Sequence, residues 1–99
     1  MRKIESQMNQ AIQSGKNWAG SNTTVSHDDG VAFVYLHGNK ICEIGEKIKL
    51  FDGGWQSNTT KSRLNAILDE FGNGDRVFAQ AFEWYLGSTS VPFYSGMEV

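Results

Sequence analysis

Between Val31 and Phe71 the chain changes its apolar period once, from two to about three and a half, and that change limits what it can fold into. The run opens with Val31–His37, a strand of alternating large side chains, and continues through Lys40–Ile44 and Lys47–Phe51. Gly38-Asn39, Gly45-Glu46 and Asp52-Gly53-Gly54 punctuate it, and Gly and Asn tolerate the positive φ that tight reversals need. Leu64, Ile67, Leu68 and Phe71 then recur at i, i+3, i+4 and i+7, one apolar stripe of a helix. Ser57, Asn58 and Thr59 offer N-caps, and Gly72 offers a stop. Strands in a meander followed by one amphipathic helix must stack that helix on one sheet face.

Centring the first hairpin on Gly38-Asn39 pairs Leu36 with Ile41, Tyr35 with Cys42 and Phe33 with Ile44. Centring the second on Gly45-Glu46 pairs Ile41 with Leu50 and Glu43 with Ile48. Alternation then sorts the side chains. Val34, Leu36, Ile41, Ile48 and Leu50 form an aliphatic face, and the helix over about 58–71 belongs on it. Phe33, Tyr35, His37, Lys40, Cys42, Lys49 and Phe51 form an aromatic, basic face.

Upstream, Ile4, Met8, Ala11 and Ile12 mark a short helix over about 3–14 that Gly15 ends. Three turns are marginal alone, so this helix needs a surface, and the aromatic sheet face is the expected one. Residues 15–23 read as a loop anchored by Trp18. Thr24–His27 reads as a strand ending in an Asp29-Gly30 turn. Downstream, Arg76–Leu86 reads as one long strand and Gly87–Ser90 as a turn. Val91–Tyr94 serves as an edge strand or extended tail, since Pro92 donates no ladder bond. The expected architecture is α+β: a single domain over 1–99, with an antiparallel meander of five or six strands and two helices.

Composition removes several function classes. The net charge of −2 and a pI near 5.6 give no chain-wide surface for polyanions, so nucleic-acid binding would need a local basic patch. One cysteine, Cys42, excludes an internal disulfide and a cysteine zinc cluster. MRKIESQMNQ lacks the apolar stretch of a signal peptide, and no segment reaches the roughly 20 apolar residues of a membrane span. A cytoplasmic location is therefore expected.

No constellation reaches catalytic or metal-binding quality. His27-Asp28-Asp29 with His37 supplies metal-ligand types, but Asp belongs in that turn and nothing forces the histidines together. Cys42 and His37 fall on one face with Lys40 between them and no orienting partner. Lys61 and Arg63 at a helix start could attract an anion, yet ordinary capping on a solvated face explains them. The expectation is a non-enzymatic protein without cofactor or metal.

Gly54-Trp55, Thr59-Thr60-Lys61, Arg63-Leu64-Asn65 and Pro92-Phe93-Tyr94-Ser95-Gly96-Met97, with Tyr35-Leu36-His37-Gly38-Asn39, resemble a widespread family of small bacteriophage proteins. The resemblance spans residues 18–97. It implies a non-structural accessory protein made in the cytoplasm of an infected bacterium, and it carries no activity, cofactor or functional residue.

Three functions then compete. The first is a host-directed inhibitor or anti-defence factor that occupies a surface of a host bacterial protein, with Phe82, Trp84, Tyr85, Phe93 and Tyr94 as interface. The second is single-stranded nucleic-acid binding through Tyr35, Phe51, Lys40 and Lys49, extended by Lys61 and Arg63. The third is a homodimer of structural role in which Val91–Val99 pairs across a symmetry axis.

Overall fold

The computed structural model describes residues 1–87 and 91–99. Helix α1 (Lys3–Ser14) leads into β1 (Trp18–Ala19), β2 (Thr23–Asp28), β3 (Val31–Leu36), β4 (Asn39–Ile44) and β5 (Ile48–Leu50). Helix α2 (Asn58–Phe71) precedes β6 (Val77–Gln80), β7 (Glu83–Leu86), β8 (Val91–Pro92) and β9 (Met97–Glu98). One antiparallel sheet runs β1-β2-β3-β4-β5-β9, and a second runs β6-β7-β8. The fold class is the expected α+β, with a second sheet that the sequence reading lacked.

Helix α2 has the expected limits. Ser57 Oγ accepts the Thr60 N–H at 3.0 Å, an N-cap that satisfies one orphan donor. At the other end a Cβ on Gly72 would stand 2.8 Å from the Leu68 carbonyl, so only glycine lets the chain turn away there. Leu64, Ile67 and Leu68 are fully buried, and Phe71 is half-buried against the same core. Burying each such aliphatic side chain contributes about 1.5–3 kcal/mol before entropy.

Helix α1 does not cover the aromatic sheet face. It packs beside α2 and over β2, and its Met8, Ala11 and Ile12 join the core of Val25, Val34, Leu36 and Leu50. Asn9 ties the helices together, donating to the Ala66 carbonyl at 3.0 Å. Periodicity showed that α1 had an apolar stripe, but not in which layer that stripe would lie. Among the described residues the outer sheet face is therefore left without a helix, as one face of an antiparallel sheet commonly is.

The register also differs. The first meander turn is His37-Gly38 (φ 53° and 80°), not Gly38-Asn39, so Leu36 faces Asn39 and Tyr35 faces Lys40. A bulge at Ile41 absorbs one residue, after which Val34 faces Cys42 and Phe33 faces Glu43. Beyond it Cys42 faces Leu50 and Ile44 faces Ile48. The bulge keeps Ile41 buried as expected and moves Cys42, assigned to the aromatic face, into the core.

Arg76–Leu86 is a hairpin, not one strand. It reverses at Ala81-Phe82, and Phe78 then stacks on Tyr85 with centroids 5.7 Å apart. Val77, Trp84 and Leu86 face the core. Trp18, expected in a loop, begins the short strand β1. The turn expected over Gly87–Ser90 lies, beyond Gly87, outside the described residues.

Candidate protein-binding rim

Among the described residues, three two-residue hairpin turns place both central residues at positive φ, the geometry whose twist suits an antiparallel hairpin, and Gly53-Gly54 (69° and 87°) does the same in the loop after β5. Asp29-Gly30 has φ of 52° and 78°, and His37-Gly38 has 53° and 80°. Ala81-Phe82 has 52° and 67° without any glycine. The aromatic ring there gains no packing, because Phe82 is fully exposed (103% relative accessibility).

Two other exposed aromatics lie on loops linked to the hairpin, Tyr94 directly and Trp55 through the Tyr94 loop. The Phe93 N–H donates to the Trp84 carbonyl at 2.9 Å, extending the pairing of β8 toward the tip, and the chain then turns between Tyr94 and Met97. Trp84 is two residues from Phe82, a separation of at most roughly 7 Å between their backbones. Ser95 Oγ donates to Asp52 Oδ1 and accepts the Asp52 N–H, both at 3.1 Å. Asp52 Oδ1 also accepts the Gly54 N–H, and the Asp52 carbonyl accepts the Trp55 N–H. The hairpin, the 93–96 loop and the 52–56 loop thus form one hydrogen-bonded series, a rim whose exposed aromatics are Phe82, Tyr94 (61% exposed) and Trp55 (75%). Its acidic side chains are the carboxylates Asp52 and Glu83, and no Lys, Arg or His occurs in segments 52–56, 81–83 or 93–96.

The expected interface set divides on this geometry. Phe82 and Tyr94 are exposed, while Tyr85 and Phe93 are half-buried. Trp84 is a correction: it is buried, with Phe93 edge-on at 5.2 Å, so it supports the rim from below. Glu83 accepts the Tyr85 hydroxyl at 3.0 Å, and that hydrogen bond and the nearby negative charge raise the Tyr85 phenol above its ordinary pKa. Trp55 was missed as a surface aromatic. Its signal was present: a Trp beside two glycines in a turn, outside both apolar stripes.

The nucleic-acid set does not converge. Tyr35, Phe51 and Lys40 are half-buried and Lys49 is exposed on the outer sheet side, with Lys40 over the Phe51 ring at 4.5 Å. Lys40 is also ion-paired with Glu43, and Lys47 with Glu98 at 3.4 Å. Lys61 lies on α2, in the opposite layer. Arg63, expected on a solvated helix face, is instead buried: it donates to Glu5 Oε2 at 2.8 Å, to Thr23 Oγ1 at 3.1 Å and to Asn22 Oδ1 at 3.3 Å. Burial pushes the Glu5 carboxyl up. Donation from Ser62 Oγ, the Arg2 N–H and Arg63, with the Arg63 charge, outweighs this and holds it below the usual carboxylate range.

Other chemistry-bearing residues are likewise occupied. His27 Nε2 lies 3.1 Å from the Ala11 carbonyl and 3.0 Å from that of Lys16, so its proton bridges the end of α1. Asp28 and Asp29 are exposed at one turn and His37 at another. Burial drives the Cys42 thiol pKa far up, leaving a neutral core side chain. A cleft of about 400 Å³ beside α2 is bordered by Glu5, Asn65, Asp69 and Arg76, but these are already engaged: Glu5 with Arg63, Asn65 with Val77, and Arg76 with Asp69 at 2.7 Å. Among the described residues, no helix is long and apolar enough to cross a membrane.

No curated protein and no solved structure is significantly similar to the chain. The family model described as Kyanoviridae Gp96 protein matches residues 1–99, including the first helix that the sequence resemblance did not reach. The chain belongs to the Kyanoviridae Gp96 family of bacteriophage proteins.

Proposed function

We propose that this phage protein is a non-enzymatic binding module that acts in the cytoplasm of the infected cell, docking on a host protein and inhibiting it. The observation that carries this reading is the gathering of Phe82, Tyr94 and Trp55 on one bonded rim, from segments up to 39 residues apart between Trp55 and Tyr94. Exposed aromatics on a supported scaffold are the residue types that dominate protein–protein affinity. Bordering carboxylates favour a partner with basic groups and repel nucleic-acid phosphates.

The test places a photoreactive p-benzoylphenylalanine at position 55, 82 or 94 of the full chain, with position 49 on the outer sheet face as control. Irradiation in host extract should link one host protein from the rim positions, and excess unmodified chain should abolish the link. Equal capture of that protein from position 49, or no competed capture from any rim position, overturns the reading.

The uncovered sheet face keeps single-stranded nucleic-acid binding as a second reading, with Phe33 and Tyr35 half-exposed there. Neutralisation of Lys40 and Lys47 by acids weighs against it. Fluorescence anisotropy with short single strands at low salt decides: binding that falls steeply with added salt would establish it, and no binding would end it. Dimerisation through Val91–Val99 draws less support, because β8 and β9 are only two residues long each and offer little edge to a second chain.

A further inference from the structure

The Ala81-Phe82 turn holds a left-handed conformation that is unfavourable for an L-residue at each position. The two companion turns reduce that cost by placing glycine second, and Asn-Gly would do the same here. A reversal alone gives no reason for phenylalanine, and neither does packing, since the ring touches no core. Strain of this kind, held by surrounding structure, concentrates at functional sites.

The surroundings do hold it. Below the tip, Phe78 stacks on Tyr85, Trp84 meets Phe93 edge-on, and Val77 and Leu86 are sunk in the core. Asn65 fixes the base of the hairpin to α2 through two bonds to Val77. The Phe82 backbone is therefore set before any partner arrives, which lowers the ordering cost of association. Glu83 follows it directly, and Asp52 lies one loop further along the rim, bonded to Ser95.

We propose that Phe82 is a preset anchor that inserts into an apolar pocket of the partner protein, and that lysine or arginine side chains line the mouth of that pocket. This rests on the protein-binding reading above, and it names the decisive residue and the chemistry of the receiving surface. The strained turn exchanges some stability of the free chain for presentation of one ring, with Glu83 and Asp52 meeting the basic mouth.

The experiment uses the full chain carrying Phe82→p-benzoylphenylalanine as probe, with unlabelled competitors and mapping of the linked peptide by mass spectrometry. One competitor is the wild type; the other is Ala81→Asn/Phe82→Gly, which supplies a favourable turn without the ring. The double variant should retain its circular dichroism and melt at or above the wild-type temperature. It should compete at least about 10-fold more weakly, as loss of a hot-spot aromatic does. The linked peptide should be apolar with neighbouring Lys or Arg, and capture should weaken with added salt. Equal competition by the double variant overturns the anchor, and so does a link to a second copy of the chain or to a pocket with an acidic mouth. If probes at positions 55 and 94 still give competed capture in those cases, the rim reading survives and only the anchor fails. If no position gives it, both fall.

Discussion

The side-chain amide of Asn65 is bonded to both backbone groups of Val77: Nδ2 donates to the carbonyl at 2.9 Å, and Oδ1 accepts the N–H at 2.7 Å. Val77 opens β6, which among the described residues has β7 on one side and no strand on the other. Counting back from the Ala81-Phe82 turn, Val77 occupies a position whose N–H and C=O point away from β7. Asn65 therefore supplies from a helix what a neighbouring strand would supply. An uncharged edge reading Val-Phe-Ala-Gln invites pairing with another chain, and this contact closes one of its docking positions.

Replacing the amide tests that account. Asn65→Leu keeps the bulk but leaves the Val77 N–H and C=O without a protein partner, at about 1–3 kcal/mol of stability. The freed edge should also raise self-association. Urea unfolding and sedimentation velocity at several concentrations measure the two effects. A variant with wild-type stability and no added dimer would show that the contact is incidental.

The Glu5–Arg63 pair is buried at both partners and should behave accordingly. Arg63→Met strands the carboxylate and should cost about 3–5 kcal/mol. Adding Glu5→Gln removes the stranded charge and should recover a large part of the loss. Recovery stays incomplete, because Arg63 also serves Thr23 and Asn22. Urea unfolding of the four proteins in the double-mutant cycle gives the coupling. An Arg63→Met cost below about 1 kcal/mol would fit a solvated arginine, not the buried pair.

Glu5 also sets an acid limit. Its carboxyl is held below the usual range in the folded chain, so the unfolded chain takes up that proton first as pH falls. The associated stability is whole above the ordinary glutamate value, about 4.3, and drains away as pH drops through the lower native value. Thermal midpoints between pH 7 and 3 should fall more steeply for wild type than for Glu5→Gln in the acid part of that range. Parallel curves would assign the acid sensitivity to other carboxylates.

What was legible in the sequence follows from how local each signal is. Leu64, Ile67 and Leu68 mark their helix by spacing alone, and Ser57 caps it within three residues, so α2 could be delimited closely. Val34, Leu36, Ile48 and Leu50 declared a buried face by alternation. The turn in His37-Gly38-Asn39 was ambiguous because either pair tolerates positive φ, and the bulge that decides it involves β4 and β3 together. Arg63 has its carboxylate 58 residues away, beyond the reach of any local pattern. For the rim, the aromatics were visible but their meeting was not. Ala81-Phe82 carries no turn chemistry, and the Ser95–Asp52 bonds span 43 residues.

Cys42 gives the most direct check on the corrected register. In the register first read from the turns it lies on the outer face beside Tyr35, where a thiol reagent would reach it. In the structure it faces Val34 and Leu50 and is wholly buried, with its pKa driven far upward by desolvation. Reaction needs the thiolate and access to the sulfur, and both are withheld. The native chain should therefore react with Ellman's reagent only at the rate of its own opening, and at once in denaturant. Titrating urea should raise the rate in step with the unfolded fraction measured by circular dichroism. Fast stoichiometric labelling without denaturant would return Cys42 to the outer face and undo the Ile41 bulge with it.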